Sequence, residues 1–414
     1  MRGRQWPSTV SLCRFLIALL SVMLLAGPVP ASAQPGCPDQ IMPPPPVDSS
    51  EVPAPGTAMP APMPVPDQPV GGPRMGECGL VLPDGAPAPP VGISAMSWLL
   101  ADVDSGAVLA ARDPHARHRP ASTIKLLTAL LVADELPSDR VVVATQADAD
   151  QEGSRVGLGP GGRYTVRQLL LGLLLVSGND AAHALAEQLG GTGATVQKMN
   201  QLAARLGARD TRAATPSGLD GPGMSSSAYD LALVFRQVLH RPLLAELLAT
   251  QQTEFPGYGG RPGFVLSNDN KLLRSYPGAL GGKTGFTDDA RHTQVDAAQR
   301  GGRRLMVVLM RGEQRPVPMA EQAARLLDYG FSLPPAHPVG RLVNEGELPE
   351  TLPESGAVVL PSPPAGVHAA SHGATRPAAM AGSLPVLLWV AVGAGAAATL
   401  ATALAAVLAR RRPR

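Results

Sequence analysis

Strand-like patterns stand at both ends of one long block of this chain, and helical patterns fill its middle. Residues 97–111 alternate as a hairpin around a turn at 104–106. Residues 292–298 and 304–310 form a second strand pair around a Gly-Gly turn. A strand pairs its backbone N–H and C=O groups with a neighbouring strand, so the two ends of this block are expected to share one sheet. The sequence therefore predicts an α/β (α+β) fold over residues 93–333.

The helical patterns lie mostly between the two strand pairs, and one closes the block. They cover residues 121–133, 166–176, 180–189, 195–206, 227–239 and 319–329. Thr165 with Gln168, and Ser227 with Asp230, are predicted capping boxes at two of the helix starts.

The segments on either side of the block are rich in proline, which occurs 44 times in the 414 residues. Residues 34–92 have too few apolar side chains to offset the entropy of ordering, so they are predicted to be a disordered, extended segment. Residues 334–384 have a similar composition and are interpreted as a Pro/Ala-rich stalk.

The two ends of the chain predict secretion and anchoring. Residues 1–33 resemble a signal peptide, with a basic start, a short apolar run and a small-residue cleavage site. Residues 385–409 are predicted to be a transmembrane helix, and the basic residues 410–414 a cytoplasmic tail. The expected location is a single pass in the cell membrane, with the body of the protein extracytoplasmic. A retained N-terminal anchor, and a C-terminal buried hairpin or flexible tail, are the alternatives.

Two cysteines remain once the predicted signal, which contains Cys13, is removed. They are Cys37 and Cys78. An even pair outside the membrane suggests a disulfide, and two free thiols are the alternative.

Charge and composition exclude several classes of function. The formal net charge is only +2, which argues against a dedicated nucleic-acid binder. The eight histidines show no metal-binding spacing, so no metal and no cofactor are predicted. Lysine occupies only four positions among 35 basic residues, so each lysine invites the question whether chemistry requires it.

The first candidate motif is Ser122-Thr123-Ile124-Lys125, at a predicted helix start after Pro120. Positions i and i+3 lie on one helix face, so the hydroxyl and the amine can meet. A serine needs a base to become a nucleophile, and a buried lysine can lose its proton whereas arginine cannot. Alone, the pattern with its two fixed positions would favour an exposed Ser and Lys that share one helix turn.

The second candidate motif is Ser177-Gly178-Asn179, which interrupts two apolar helical runs. A hydroxyl there could relay a proton, and an amide could bind a peptide bond. A helix–helix turn capped by the asparagine is the alternative.

The third candidate motif is Lys283-Thr284-Gly285, followed by Phe286, within a strand pattern. A strand beside a cleft can pair with an extended peptide, and a glycine allows close backbone approach. A Gly-rich turn with a solvated lysine is the alternative.

The order of these three motifs resembles that of penicillin-binding proteins and serine β-lactamases. In more detail, residues 93–333 resemble the low-molecular-mass D-alanyl-D-alanine carboxypeptidases, and Gly218-Leu219-Asp220 adds a further match. The resemblance implies a β-lactamase/transpeptidase-like fold, with an antiparallel sheet flanked by helices plus a helical subdomain.

The resemblance also implies roles in catalysis. Ser122 is expected to attack the carbonyl of the penultimate D-alanine of a peptidoglycan stem peptide, with Lys125 as base. Ser177 would pass the proton to the leaving D-alanine. The backbone N–H groups of Ser122 and Phe286 would stabilise the oxyanion.

Substrate-binding residues follow in the same way. Asn179 would hold the peptide, Lys283 and Thr284 would bind the terminal carboxylate, and Gly285 would let the strand approach. β-Lactam antibiotics would form the same ester and act as inhibitors.

Other enzymes on this scaffold are the alternatives. A β-lactamase or a DD-endopeptidase would share the motifs, as would a penicillin-binding protein that no longer catalyses. No Glu-x-x-Leu-Asn pattern follows Ser177, and residues 207–223 contain no glutamate, which favours the carboxypeptidase over a class A β-lactamase.

Overall fold

The main sheet is built from both ends of the block. A computed structural model describes residues 37–334 and 337–348. Its strands are β1 (Leu80–Val81), β2 (Ser97–Asp102), β3 (Ala107–Arg112), β4 (Val141–Val143), β5 (Arg163–Thr165), β6 (Gln252–Phe255), β7 (Phe264–Ser267), β8 (Ala279–Thr287), β9 (Arg291–Arg300), β10 (Arg303–Gly312) and β11 (Gly340–Arg341). Seven of them form one antiparallel sheet in the order β1-β3-β2-β10-β9-β8, with β11 also paired to β3. The predicted α/β arrangement is therefore confirmed.

Helices cover this sheet. The α-helices of the described residues are α1 (Lys125–Glu135), α2 (Gln146–Ala149), α3 (Val166–Leu175), α4 (Asn179–Gln188), α5 (Thr192–Leu206), α6 (Ala228–His240), α7 (Pro242–Ala249), α8 (Leu272–Ser275) and α9 (Met319–Ser332). Short 3-10 helices lie at Pro73–Gly76 and Ala121–Ile124. The predicted helices are all present, with small shifts at their ends, whereas α2, α7 and α8 were not predicted.

The central strands send alternate side chains into two separate cores. Leu99 and Val308 join the large cluster that the helical part of the domain forms on one face. Leu100 and Val307 pack on the other face against α9, through residues such as Leu326. Because both faces are covered, these strands are apolar along their whole length.

Of the two predicted capping boxes, one forms completely and the other only in part. Thr165 and Gln168 form the predicted capping box. The Ser227 side chain accepts the N–H of Asp230, but the carboxylate of Asp230 binds the Asp210 N–H and the Thr211 hydroxyl instead. The second box therefore forms only its first half.

The Pro-rich segment before the block packs against the domain, so the prediction of disorder for residues 34–92 is wrong over 37–92. Cys37 and Cys78 form the predicted disulfide, and residues 37–78 are named the N-terminal strap. Arg117 alone donates hydrogen bonds to three backbone carbonyl groups of the strap, those of Ile41, Met63 and Pro64. Guanidinium donors from the domain thus satisfy carbonyl groups that a proline-rich chain cannot pair by itself.

The stalk prediction also needs correction at its start. Residues 337–348 return to the domain, where β11 pairs with β3. Leu342 and Val343 are buried, and the Tyr229 hydroxyl donates to the Arg341 carbonyl at 2.8 Å. Packed structure therefore extends beyond the predicted boundary at residue 333, because these apolar side chains complete the core beside α6.

The predicted signal peptide (1–33), transmembrane helix (385–409) and basic tail (410–414), and most of the stalk, lie outside the described residues. Within residues 37–334 and 337–348, no helix is both long and apolar enough to cross a bilayer.

Candidate active site

Ser122 lies in the 3-10 helix Ala121–Ile124, which leads directly into α1. Ala121 before it has a φ of 47°, a left-handed conformation that a non-glycine residue adopts at a cost of about 1–3 kcal/mol. Gly218 permits this path, since a β-carbon there would collide with the Ala121 carbonyl group. The surrounding structure thus holds the serine at a strained turn.

Lys125 places its amine at the centre of three oxygen atoms. Its Nζ lies 2.9 Å from Ser122 Oγ and 2.7 Å from Asn179 Oδ1, and it also contacts the Ser217 carbonyl oxygen closely. A neutral amine has two N–H donors and one lone pair. The two carbonyl oxygens take the donors, so the lone pair faces the serine hydroxyl.

The surroundings of Lys125 favour this neutral form. The side chain is fully buried, and burial lowers its pKa well below the usual value for lysine. The positive charge of Lys283 lowers the pKa further, and the Asp180 carboxylate opposes both effects.

Asn179 begins α4 and links two parts of the cleft. Its side-chain oxygen binds Lys125, and its Nδ2 donates to the Glu152 carbonyl at 2.6 Å. The next residue, Asp180, accepts the backbone N–H groups of Val156, Gly157 and Leu158 at 2.8–3.0 Å. Asn179 therefore positions Lys125 and retains one N–H for a bound peptide.

Ser177 stands just before α4 with a φ of 62°, the second strained residue at this site. It is 8% exposed, and its Oγ has no hydrogen-bond partner among the described residues. A buried hydroxyl without a hydrogen-bond partner destabilises the fold. Such a hydroxyl is expected where it binds a ligand or transfers a proton to one.

β8 forms the opposite wall of the cleft, at the edge of the sheet. A β-carbon on Gly285 would lie 2.8 Å from the backbone nitrogen of Ser122 and 2.5 Å from Thr293 Oγ1. Only glycine allows this approach, which brings β8 against the backbone of Ser122. The next residue, Phe286, has a ring that is 48% exposed and packs on His292 at 4.5 Å between ring centroids.

Lys283 is buried on the same strand, and its Nζ donates to the Thr284 carbonyl at 2.7 Å. Burial lowers the pKa of Lys283 to about 7, against the opposing charge of Asp269. Burial makes the charged amine costly to hold without a partner, so a carboxylate ligand beside this strand edge would stabilise it.

The structure brings the three motifs together around one cleft. Sequence analysis missed the Ser217 carbonyl that binds Lys125, the role of Gly218 in fixing Ala121, and the carboxylate of Asp180 that holds residues 156–158. Gly218 stood inside a matched motif and Asp180 directly follows the second motif, so a signal was present, whereas a backbone carbonyl such as that of Ser217 leaves none.

A separate buried cluster contains His115, Asp210 and Asp230, whose side chains offer ligand atoms within 4.8 Å of one another. Arg117 donates to Asp210 at 3.0 Å, and His115 Nδ1 lies 2.7 Å from the same carboxylate. The guanidinium already supplies a positive charge there, so we assign the cluster a structural role beneath the strap.

A serine at a helix start, a buried lysine one turn later whose Nζ lies 2.9 Å from the serine Oγ, and a glycine-bearing edge strand are the features of a serine peptidase of the penicillin-interacting class. The chain matches the D-alanyl-D-alanine carboxypeptidase family over residues 84–314, and it belongs to that family.

Individual relatives agree with this membership. The chain is 52% identical to the D-alanyl-D-alanine carboxypeptidase DacB2 of Mycobacterium tuberculosis over 253 residues, 60% of this chain and 86% of that protein. It is 34% identical to DacF of Bacillus subtilis over 252 residues, 59% of this chain and 64% of that protein.

Solved structures show the same fold. A D-alanyl-D-alanine carboxypeptidase from M. tuberculosis superposes with a TM-score of 0.61 and 50% identity, over 63% of this chain and all of that chain. A variant of a Streptomyces DD-transpeptidase gives a TM-score of 0.56 and 29% identity, over 59% of this chain and all of that chain.

Proposed function

We propose that this protein removes the terminal D-alanine from peptidoglycan stem peptides through an acyl-enzyme on Ser122. The observation that carries the proposal is the amine of Lys125. It lies 2.9 Å from Ser122 Oγ, and the Asn179 and Ser217 oxygens accept hydrogen bonds from it, so in its neutral form the remaining lone pair is left for the serine hydroxyl.

Acylation begins when the Ser122 hydroxyl gives its proton to Lys125 and Oγ attacks the carbonyl carbon of the penultimate D-alanine. The carbonyl oxygen becomes an oxyanion, which the backbone N–H groups of Ser122 and Phe286 stabilise. The close approach of Gly285 to the Ser122 backbone nitrogen supports this placement.

Collapse of this intermediate breaks the peptide bond. The proton held by Lys125 passes through the unpaired Ser177 hydroxyl to the leaving nitrogen, and free D-alanine departs. Water then attacks the ester, Lys125 takes its proton, and Ser122 is regenerated with the shortened peptide released.

The substrate carboxylate is placed at the other end of the cleft. Lys283 supplies a positive charge and Thr284 a hydroxyl on the edge strand β8, and the peptide pairs with that strand. These interactions select a peptide with a free C-terminus, which favours a carboxypeptidase over an endopeptidase.

A β-lactam would acylate Ser122 by the same attack, and its ring nitrogen would remain attached to the acyl group. Inhibition requires slow hydrolysis of this ester. Rapid release of hydrolysed penicillin would instead indicate a β-lactamase.

The direct test is incubation of the protein with a peptide ending in D-alanyl-D-alanine, followed by measurement of free D-alanine. Release is expected from the wild type and not from Ser122→Ala. Mass spectrometry after benzylpenicillin treatment should show an adduct on Ser122. A wild-type protein that is folded yet releases no D-alanine and forms no adduct contradicts the proposal.

We further propose that the protein acts outside the cytoplasm and is held in the cell membrane by residues 385–409. The uncharged run at 386–409, the arginines after it and the Cys37–Cys78 disulfide support this location. Removal of residues 385–414 should move the protein from the membrane fraction to the soluble fraction, and an unchanged distribution would contradict the anchor.

A further inference from the structure

The N-terminal strap reaches the active-site end of the sheet at residues 44–51. There Arg119, which shortly precedes Ser122, pairs with Glu51 through two hydrogen bonds, and its Nη1 donates to the Pro44 carbonyl at 2.7 Å. The Arg119 and Glu51 side chains are only 2% and 9% exposed. The strap is therefore tied to the segment that leads into the nucleophile.

A second tie joins the strap to the turn after β8. The buried carboxylate of Asp289 accepts the backbone N–H of Val47, and its other oxygen lies 3.4 Å from Ser50 Oγ. The strap thus crosses from the nucleophile's side of the cleft to the end of the substrate-pairing strand.

The two ties belong to one cluster. The carboxylate of Asp220 is close enough to Thr287, the last residue of β8, and to Asp289, Arg119 and Glu51 for these groups to alter its pKa, which burial raises to about 6. Residues 44–51 of the strap therefore lie beside the C-terminal end of β8.

The direction of the substrate along β8 follows from the site. The terminal carboxylate lies near Lys283 and Thr284, and the reacting carbonyl lies at the N–H of Phe286. The residues before the two D-alanines must then run past Thr287. An extended peptide advances about 3.3 Å per residue, so the second and third of these residues reach the level of the strap.

The strap exposes apolar side chains within and next to residues 44–51. Val47 lies within this segment, Ile41, Met42 and Val52 flank it, and all four are 57–68% exposed. Several large aliphatic side chains left in water on one short segment are typical of a surface that contacts a ligand.

We propose that residues 44–51 of the strap form the wall of an upstream subsite, which contacts the stem-peptide residues that precede the two D-alanines. This inference rests on the proposed function. The strap then makes the enzyme prefer peptides with several residues before the scissile bond.

The test compares peptides that carry one, two or three residues before D-alanyl-D-alanine. Val47→Pro removes the N–H that binds Asp289. In the wild type, kcat/KM should rise with peptide length. In the variant, the ratio of kcat/KM between the longest and shortest peptides should fall about tenfold. A tenfold fall corresponds to the loss of about one contact, and it should appear mainly as a higher KM for the longest peptide.

Glu77→Ala is the matched control. Glu77 lies in the strap near Cys78, where its side chain forms an exposed pair with Arg74. It should keep the wild-type length dependence. If Val47→Pro does not fold, Asp289→Ala removes the same contact from the domain side and serves instead.

The outcomes separate the two proposals. Suppose that penicillin labels Ser122 in Val47→Pro and that the ratio of kcat/KM between the longest and shortest peptides equals that of the wild type. This result overturns the subsite and leaves the proposed function standing. A protein that is neither labelled nor releases D-alanine from any peptide overturns the proposed function. A fall in the ratio that Glu77→Ala reproduces also rejects the subsite, because it reflects general loosening of the strap.

Discussion

The two walls of the cleft each bury a lysine, but they prepare it for different tasks. Lys125 sits on the helix side with two carbonyl acceptors and the serine hydroxyl around its Nζ, and its pKa is lowered well below the usual value for lysine. Lys283 sits on the strand side with one carbonyl acceptor and the nearby Asp269 carboxylate, and its pKa is lowered to about 7.

The difference shows that burial alone does not set the function of a lysine. Both side chains lose their water, which disfavours the charged form in each. The neighbouring charge then decides the outcome, because Lys125 has a cation as its second-largest influence whereas Lys283 has an anion. One lysine is suited to accept a proton, and the other to hold a carboxylate.

The largest expected effect is that of Lys125→Arg. Arginine stays protonated, so Ser122 loses its base, and the rate of acylation should fall by about a thousandfold or more. The check is the rate of labelling by a fluorescent penicillin. Lys198→Arg is the control, since Lys198 pairs with Glu135 on the surface. Labelling of Lys125→Arg at the wild-type rate would show that another group is the base.

Lys283→Ala should have a smaller effect, confined to carboxylate binding. Loss of a charge-assisted hydrogen bond corresponds to about 10- to 100-fold in kcat/KM for the peptide. Lys283→Arg keeps the charge and should recover part of this loss. Arginine is thus expected to be tolerated at residue 283 and not at residue 125. If both arginine variants were equally inactive, the two lysines could not be separated into a base and a carboxylate-binding cation.

Asn179→Asp sharpens the comparison by placing a carboxylate against Lys125. An adjacent negative charge stabilises the protonated amine, so the pKa of Lys125 should rise by about one unit or more. The acid limb of the pH profile for acylation should then move to higher pH. A profile that keeps its wild-type acid limb would mean that Lys125 does not control it.

The smallest effect is the pH dependence of the wild type. Activity should fall as pH decreases through the lowered pKa of Lys125, because the base becomes protonated. Peptide kcat/KM should also fall as pH increases through about 7, because Lys283 loses the charge that holds the carboxylate. Lys283→Arg should abolish this alkaline limb, and its persistence there would assign the limb to another group.

Prediction from sequence succeeded where a pattern is local. Helix and strand periods located β2, β3, β8, β9, β10 and most helices, and the Thr165 capping box formed as expected. The spacing of Ser122 and Lys125 within one helical turn was enough to place their side chains 2.9 Å apart. That Ser177 and Lys283 belong to the same site as Ser122 and Lys125 followed from resemblance to a family. No local sequence pattern predicts it.

Prediction failed where backbone groups find distant partners. The strap was expected to be disordered because its own side chains bury little surface, yet Arg117 and Arg119 bind its carbonyl groups from the domain. The β11 residues 340–341 were assigned to a stalk for the same reason. Composition describes what a segment can contribute to a core, but not what a folded surface can offer to that segment.

The sequence by itself determined the alternation of strands and helices, the scarcity of lysine and the presence of a hydroxyl one helical turn from an amine. These properties depend on neighbours within a few residues, so chain order specifies them. Only the tertiary structure decided that this amine lies beside the serine and that its pKa is lowered. The Ser217 carbonyl that positions the amine, the burial and the charge of Lys283 come from segments far apart in the chain, so burial and charge lower the pKa only once folding has brought these segments together.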